Sequence, residues 1–352
     1  MRWQLLNSGR ATRWGTFFKG FLLIALFIVS STWLGLSRDT RAAGRARPVD
    51  VGDQEYWPIP LLAREFGVQY HSFDDKRFRL ANREMELSFE VGGRRAFVNG
   101  VLVWLHEPVL PGRRAPMLSA TDVETILSPL LRPLDSLRQV GYQRVVLDAG
   151  HGGNDPGAQG PTGSVEKDLA LTVTLGIAKL LEEAGVDVYL TRRDDSRLSL
   201  SNRVVRTREA GGDLFVSLHF NSSANTDAQG SETFVLTAGG HASTSQQPGG
   251  SYPAAVEANE FDGANALLGF LIQQRLLEQT GNQDRGLRRA RFYVLREAVT
   301  PAVLVEAGFL TNLDEEARVM DPAFQARIIR GIADGILDYT GLVMRARIED
   351  YL

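Results

Sequence analysis

The chain has 352 residues, 43% of them hydrophobic, which is enough for two domains and a targeting segment. It contains no cysteine, so disulfides, thiol nucleophiles and thiolate metal ligands are excluded. The net charge is −3, and the first fifty residues hold eight basic and two acidic side chains; that local +6 leaves −9 for the body, which argues against a nucleic-acid binder.

Arg2, Arg10, Arg13 and Lys19 precede an uncharged, Phe-, Leu- and Ile-rich run of 17 residues from Gly20 to Leu36. A basic head followed by an apolar run reads as a secretion signal or an N-terminal membrane anchor over residues 1–42. The run is at the short end for a spanning helix. Thr40–Arg41–Ala42 is a poor cleavage site, so removal and retention both stay open. Residues 37–50, rich in Arg, Ala and Gly, read as a linker.

From 51 to 135 the pattern becomes that of a small accessory α+β domain. Ile59 to Phe66 predicts a short helix with Gly67 as its stop. Arg77–Leu80, Glu86–Val91 and Arg95–Val98 alternate like half-buried strands. Asn99–Gly100 predicts a type I′ hairpin turn, and a second helix is expected near Ala120–Leu131. This diffuse pattern resembles the copper-amine-oxidase N-terminal-like domain, an accessory module of exported wall proteins. The resemblance implies no copper chemistry.

Beyond residue 141 strands are expected at 143–149, 186–191, 213–219, 231–236, 291–296 and 301–306, and helices at 165–184, 199–210, 263–280 and 322–340. Such alternation calls for an α/β fold, a twisted, mostly parallel sheet with helices on both faces. Thr237 to Asp262 interrupts it with a Gly- and Gln-rich stretch of no helical period. It is expected to leave the sheet beside the functional end, as a lid or as an insertion without a role. It lacks the amphipathic pattern an inhibitory helix needs.

Three apolar runs end in chemically capable residues. Val145–Ala149 leads into Gly150–His151–Gly152–Gly153, Leu214–Leu218 into His219, and Ala302–Val305 into Glu306. Ligands of α/β sheets bind at the carboxyl ends of strands, beside helix N-termini. Glu166, opening the helical run to Ala184, is a fourth candidate. A glutamate in a first helical turn is ordinarily a favourable dipole partner, and Asp148 and Asp155 are rival carboxylates. Asp148 also suits holding the loop or orienting an imidazole. Two histidines and a carboxylate form a recurrent catalytic zinc set with a position open to water. A carboxylate at Glu306, after four apolar residues, is costly unless it is paired or functional. Arg203 and Arg285 suit either substrate carboxylates or ion pairs.

The ordered pieces are Asp148–Gly153, Asp155–Ala158, Glu166–Lys167, Leu190–Arg192, Asn202–Arg203, Ser217–Asn221, Asp284–Leu287 and Val303–Asn312. With them, residues 141–342 resemble the catalytic domain of zinc-dependent N-acetylmuramoyl-L-alanine amidases of the type-3 family. The resemblance implies one Zn2+ per chain on His151, Glu166 and His219, with Glu306 as the catalytic carboxylate. The implied reaction cleaves the amide between N-acetylmuramic acid and L-alanine of the peptidoglycan stem peptide. It implies a periplasmic or wall-associated location, peptidoglycan as partner, an activator protein as a candidate partner, and membrane contact only through the N-terminal segment. Two other readings stay open: a non-catalytic peptidoglycan-binding or regulatory module, and a zinc peptidase acting within the stem peptide.

Overall fold

Period-two alternation of apolar residues builds the first part of the chain in the computed structural model, which describes residues 48–138 and 140–351. The 1–42 segment expected to direct export or anchor the chain lies outside the described residues. Among those described, no helix is long and apolar enough to cross a membrane. Strand β1 (Val49–Val51) pairs with β2 (Gln54–Pro58), which runs directly into α1 (Ile59–Phe66). Gly67 closes α1 in the left-handed conformation, as its sequence position predicts. An antiparallel meander follows: β3 (Gln69–Ser72), β4 (Arg77–Ala81), β5 (Glu86–Glu90), β6 (Arg95–Val98) and β7 (Val101–Trp104). Phe78, Leu80, Leu87, Phe89, Ala96 and Val98 fill one face of it and are buried. Asn99 and Gly100 both take positive φ, 48° and 84°, the turn their dipeptide predicts. Strand β8 (Met117–Ser119) returns to β2 and opens a helical stretch of α2 (Ala120–Asp122), a π turn over Val123–Leu127, and α3 (Ser128–Leu131).

The remainder alternates as expected: β9 (Arg144–Ala149), α4 (Glu166–Glu183), β10 (Asp187–Leu190), α5 (Leu200–Glu209), β11 (Leu214–Asn221), β12 (Ser231–Leu236), α6 (Asp262–Thr280), β13 (Asp284–Ala290), α7 (Tyr293–Arg296), β14 (Ala302–Phe309), α8 (Leu313–Met320) and α9 (Pro322–Tyr351). Strands assemble in the order β10-β9-β11-β14-β12-β13-β7-β6-β5-β4-β3, an 11-stranded sheet. Helices α4, α6 and α9 cover one face, and α5 and α7 the other beside β9, β11 and β14.

Three expectations need correction. The whole sheet is mixed: beyond residue 141 every pairing is parallel except that β12 runs antiparallel to β14, but the sheet continues into β7 to β3, which alternate in direction. Residues 222–230, joining β11 to β12, are too few for a crossover, which takes a dozen residues or more, so the chain must reverse. The strand expected at 291–296 lies at Asp284–Ala290, and Tyr293–Arg296 is a helical turn. Arg285, Arg288 and Arg289 hide that strand, because their side chains bond to acceptors distant in sequence: Arg285 and Arg288 meet Glu232, and Arg289 donates to the Trp104 carbonyl.

The third correction concerns residues 237–262. Because β12 is antiparallel to β14, its C-terminal end lies away from the strand ends carrying His219 and Glu306. The insertion therefore leaves the sheet at the opposite end and is no lid. It docks on the 51–135 part instead. His241 is held between Glu107 Oε1 and Thr121 Oγ1, both 3.0 Å away, and Arg291 donates to the carbonyls of Ala238 and His241.

Beside His241 a buried knot fixes this contact. Asp122 accepts from the His106 amide at 2.7 Å, from His106 Nδ1 at 3.0 Å, from the Glu107 amide at 3.1 Å and from Ser119 Oγ at 2.7 Å. The Ala238 amide donates to His106 Nε2 at 3.4 Å, so the imidazole must be neutral, with its proton on Nδ1. Burial opposes the Asp122 charge, but these bonds outweigh it and hold the carboxyl below its usual range. Burial, and then the Arg289 charge, push His106 down to about 3. Above pH 6.5 neither folded nor unfolded His106 carries a proton. Below it the unfolded chain takes up a proton that the folded chain refuses, until the pH nears 3. Stability is therefore expected to fall on acidification from 6.5, by up to about 1.4 kcal/mol per pH unit from this group. Denaturant melts at pH 7 and pH 5 check it: His106→Gln should shrink the difference between them, and an unchanged difference would contradict the assignment.

Candidate metal centre

Every candidate side chain arrives at the same end of the sheet. Strand β9 runs apolar to Ala149 and stops, and the backbone turns sharply through Gly150 and His151. His151 itself takes φ 58°, a left-handed conformation uncommon for a residue with a side chain. Gly150 lies against the His219 ring and Gly157 against Glu166 and His151, so a Cβ at either position would collide with those side chains. Strand β11 delivers His219 and β14 delivers Glu306, directly opposite each other in register. Helix α4 begins at Glu166, whose side chain is buried beneath both imidazoles.

His151 Nε2 lies 3.1 Å from Glu166 Oε2, and His219 Nδ1 lies 2.8 Å from Glu166 Oε1. The two rings meet edge-on with centroids 4.9 Å apart. One donor atom from each of the three residues falls within 4.8 Å of the others. Glu166 also accepts from the amides of Ala158 at 2.7 Å and Phe220 at 3.1 Å. Burial works against its charge, but the bonds from His151 and His219 hold the carboxyl far below the usual range. Burial likewise opposes the His151 charge, yet Glu166 and then Asp155 raise its pKa. Glu306 has the opposite character. Burial, and then the Glu166 and Glu232 charges, push its carboxyl well above the ordinary value, and its Oε2 is buried without a hydrogen-bond partner.

This donor set fits a borderline divalent ion. Two neutral imidazoles and one carboxylate are nitrogen and oxygen ligands of the kind zinc takes. They converge within a few ångströms, and beside them Glu306 Oε2 is left without a hydrogen-bond partner. The cluster can hold a metal ion, with an unpaired carboxyl beside it to handle a proton.

The shell behind the cluster is a clamp of two arginines. Arg203 donates to the Ala149 carbonyl at 2.6 Å, the His151 carbonyl at 2.8 Å and Asp148 Oδ1 at 2.6 Å. Arg192 donates to the carbonyls of Ala149 at 2.9 Å, Gly150 at 2.6 Å and Lys167 at 2.8 Å. Asp148, fully buried, also accepts from Thr191 and Ser217. It thus holds the loop through Arg203 and touches no imidazole. Asp155 is the carboxylate beside an imidazole, 3.1 Å from His151 Nδ1. Arg285 pairs with Glu232.

Sequence reasoning misses the helix α8. Its Glu316 accepts from the amides of Thr162 and Ser164 on the loop entering Glu166, and its Glu315 accepts from the amides of Gly230 and Phe309. Consecutive buried glutamates in an otherwise polar run are the available signal. Glu232 is missed too, being one acid in an unremarked strand.

A family model described as N-acetylmuramoyl-L-alanine amidase matches residues 145–338. The chain is 33% identical over 225 residues to the N-acetylmuramoyl-L-alanine amidase AmiA of Escherichia coli K12, an alignment covering 56% of this chain and 76% of that protein. It is 31% identical over 195 residues to the sporulation-specific N-acetylmuramoyl-L-alanine amidase of Bacillus subtilis 168, covering 55% of this chain and 66% of that one. A solved structure, the catalytic domain of the N-acetylmuramoyl-L-alanine amidase CwlV from Bacillus (Paenibacillus) polymyxa var. colistinus, shares 35% identity at a TM-score of 0.48, over 57% of this chain and 99% of that one.

The clamp generates a prediction. Lysine cannot reproduce the guanidinium fork that grips two carbonyls and Asp148 together. Arg203→Lys is expected to weaken retention of a divalent ion by roughly 10–100-fold, the usual worth of a partner behind the ligands. Competition with a chelator measures it, and an unchanged affinity would show that the His151 backbone needs no such grip.

Proposed function

The chain belongs to the N-acetylmuramoyl-L-alanine amidase family, and on that premise we propose that His151, Glu166 and His219 hold one zinc ion beside a catalytic Glu306. The protein hydrolyses the amide between N-acetylmuramic acid and L-alanine of the peptidoglycan stem peptide. The observation that supports the site assignment is convergence: three donors lie within 4.8 Å of one another, and Glu306 stands opposite His219.

The chemistry such an ion supplies is Lewis acidity, polarising the amide carbonyl and acidifying water towards ~7. Glu306 does the proton work. Its Oε2 has no competing hydrogen bond, so it takes the proton of the attacking water and returns it to the departing nitrogen of L-alanine. Burial and two neighbouring carboxylates favour its protonated form, which keeps the proton on Oε2 between the two transfers. Arg203 and Arg192 fix the loop that presents His151. Glu166, buried and held by two amides, stays ionised and immobile.

The same reading assigns residues 141–342 to catalysis and 51–135 to an accessory part resembling the copper-amine-oxidase N-terminal-like domain, without copper chemistry. It places the reaction outside the cytoplasm, where peptidoglycan lies, in keeping with the basic and apolar N-terminal segment.

Purified protein is expected to hold about one zinc per chain. His151→Ala and His219→Ala should each abolish retention, read by elemental analysis, and full occupancy in both would move the site elsewhere. Glu306→Gln should keep its zinc and lose roughly 10²–10⁴ in rate. Mass spectrometry of digested muropeptides reads that loss. Loss of zinc in this variant would make Glu306 a ligand, and an undiminished rate would remove it from the mechanism.

A further inference from the structure

Beyond Glu306 the same face of the sheet carries a second group of side chains. Glu232 lies opposite Glu306 across β12 and β14, and is nearly fully buried. Its Oε1 accepts from Asn221 at 2.8 Å. Its Oε2 accepts from both Arg285 Nε at 2.8 Å and Arg288 Nη1 at 2.5 Å. Two guanidiniums thus share one carboxylate, and the group keeps a net positive charge.

Arg288 is held flat by aromatic rings. Its guanidinium carbon lies 5.8 Å from the Trp104 ring and 5.6 Å from the Phe234 ring, and Phe292 packs edge-on against Phe234. Its Nη2 makes no hydrogen bond among the described residues, and its side chain is 18% exposed, with Phe292, 40% exposed, on the far side of Phe234. Trp104 comes from the N-terminal meander. Leu287 and Val103 pair across β13 and β7, which sets Trp104 beside Arg288, and Trp104 Nε1 donates to the Arg285 carbonyl at 3.2 Å. A cation that keeps 18% of its side-chain exposure, seated against two rings and with a free donor, is arranged for a planar anion.

We infer that Arg288, seated against Trp104 and Phe234, is a subsite for a free carboxylate of the stem peptide, three or four residues from the scissile amide. The inference rests on the amidase reading for the identity of that peptide. Strand spacing sets the distance. Arg288 stands two strands from β14, about 10 Å, and two residues along from the level of Glu232, about 7 Å, so its Cα lies roughly 12 Å from that of Glu306. An extended peptide covers that in three to four residues at about 3.3 Å each. The charge is complementary, and Glu232 links Arg288 to the strand position opposite Glu306. The N-terminal segment then supplies one wall of the substrate site through Trp104.

The test uses the full zinc-loaded chain and two soluble muropeptides of equal length, one with the distal carboxylate free and one with it amidated. Wild type is expected to show the lower KM for the free acid. Arg288→Gln should raise that KM roughly tenfold, the worth of a charged hydrogen bond, and leave the amidated substrate's KM and both kcat values near wild type. Trp104→Ala should raise the free-acid KM as well, and Trp104→Phe should restore it. Arg288→Lys, which keeps the charge if the glutamine variant fails to fold, should fall between. Equal KM values for the two substrates in wild type, or equal rises for both in Arg288→Gln, would overturn the subsite. Binding of the same peptides to Glu306→Gln, followed by calorimetry, separates the two readings. Preference for the free acid without any hydrolysis by wild type would overturn the amidase reading and leave the subsite standing. Hydrolysis without preference would do the reverse.

Discussion

The buried carboxylate of Glu166 is the demand that the rest of the site answers. A charge taken out of water costs several kcal/mol unless donors replace the lost hydration. Glu166 collects four: two imidazole nitrogens and the amides of Ala158 and Phe220. The four donors sit on three segments. The imidazoles must come from the ends of β9 and β11, the Ala158 amide from the glycine-rich loop, and the Phe220 amide from the last residues of β11. Satisfying one side chain therefore brings three chain segments to one point before any ligand is considered. The arrangement also explains the glycines at 150 and 157, where the backbone must run against those side chains with no room for a Cβ.

The two carboxyls of the site differ because their surroundings differ. Glu166 is ringed by donors and stays charged, whereas Glu306 has burial and two acidic neighbours and no donor on Oε2. That pushes the two residues towards opposite protonation states within one cleft, which is how a metal ligand and a proton carrier can share a sheet edge. Asp148 is a third buried carboxylate with a third role, since Arg203, Thr191 and Ser217 commit all of it to the loop.

The legible parts of the fold are those where periodicity and local chemistry agree. The placing of His151 just past β9, the Gly67 stop and the Asn99–Gly100 turn all follow from a few adjacent residues, whereas β11 runs on to Asn221 and β14 to Phe309, so Glu306 lies within its strand and not at its expected end. The illegible parts depend on partners far away in sequence. Strand β13 is hard to read because its arginines find their hydrogen-bond acceptors in Glu232 and a carbonyl of β7, neither of which is near in sequence. The direction of β12 depends on the length of the 222–230 link, and that direction alone moves the 237–262 insertion to the far end of the sheet. His106 and His241 carry no local signal, and their meaning lies in Asp122, Glu107 and Thr121.

The join between β7 and β13 bears on how the chain reaches this state. Trp104 Nε1 and the Arg285 carbonyl meet across a separation of 181 residues, while the meander from β3 to β7 is closed by neighbours in sequence. Local contacts form quickly and distant ones slowly. The meander can therefore be complete while β13 has not yet arrived, with one side of β7 presenting bare amides and carbonyls. An unpaired strand of that kind is a template for any other extended segment, including the same strand of another copy. In the folded chain β13 covers that side of β7, so the join also closes an edge that would otherwise be open to another extended segment.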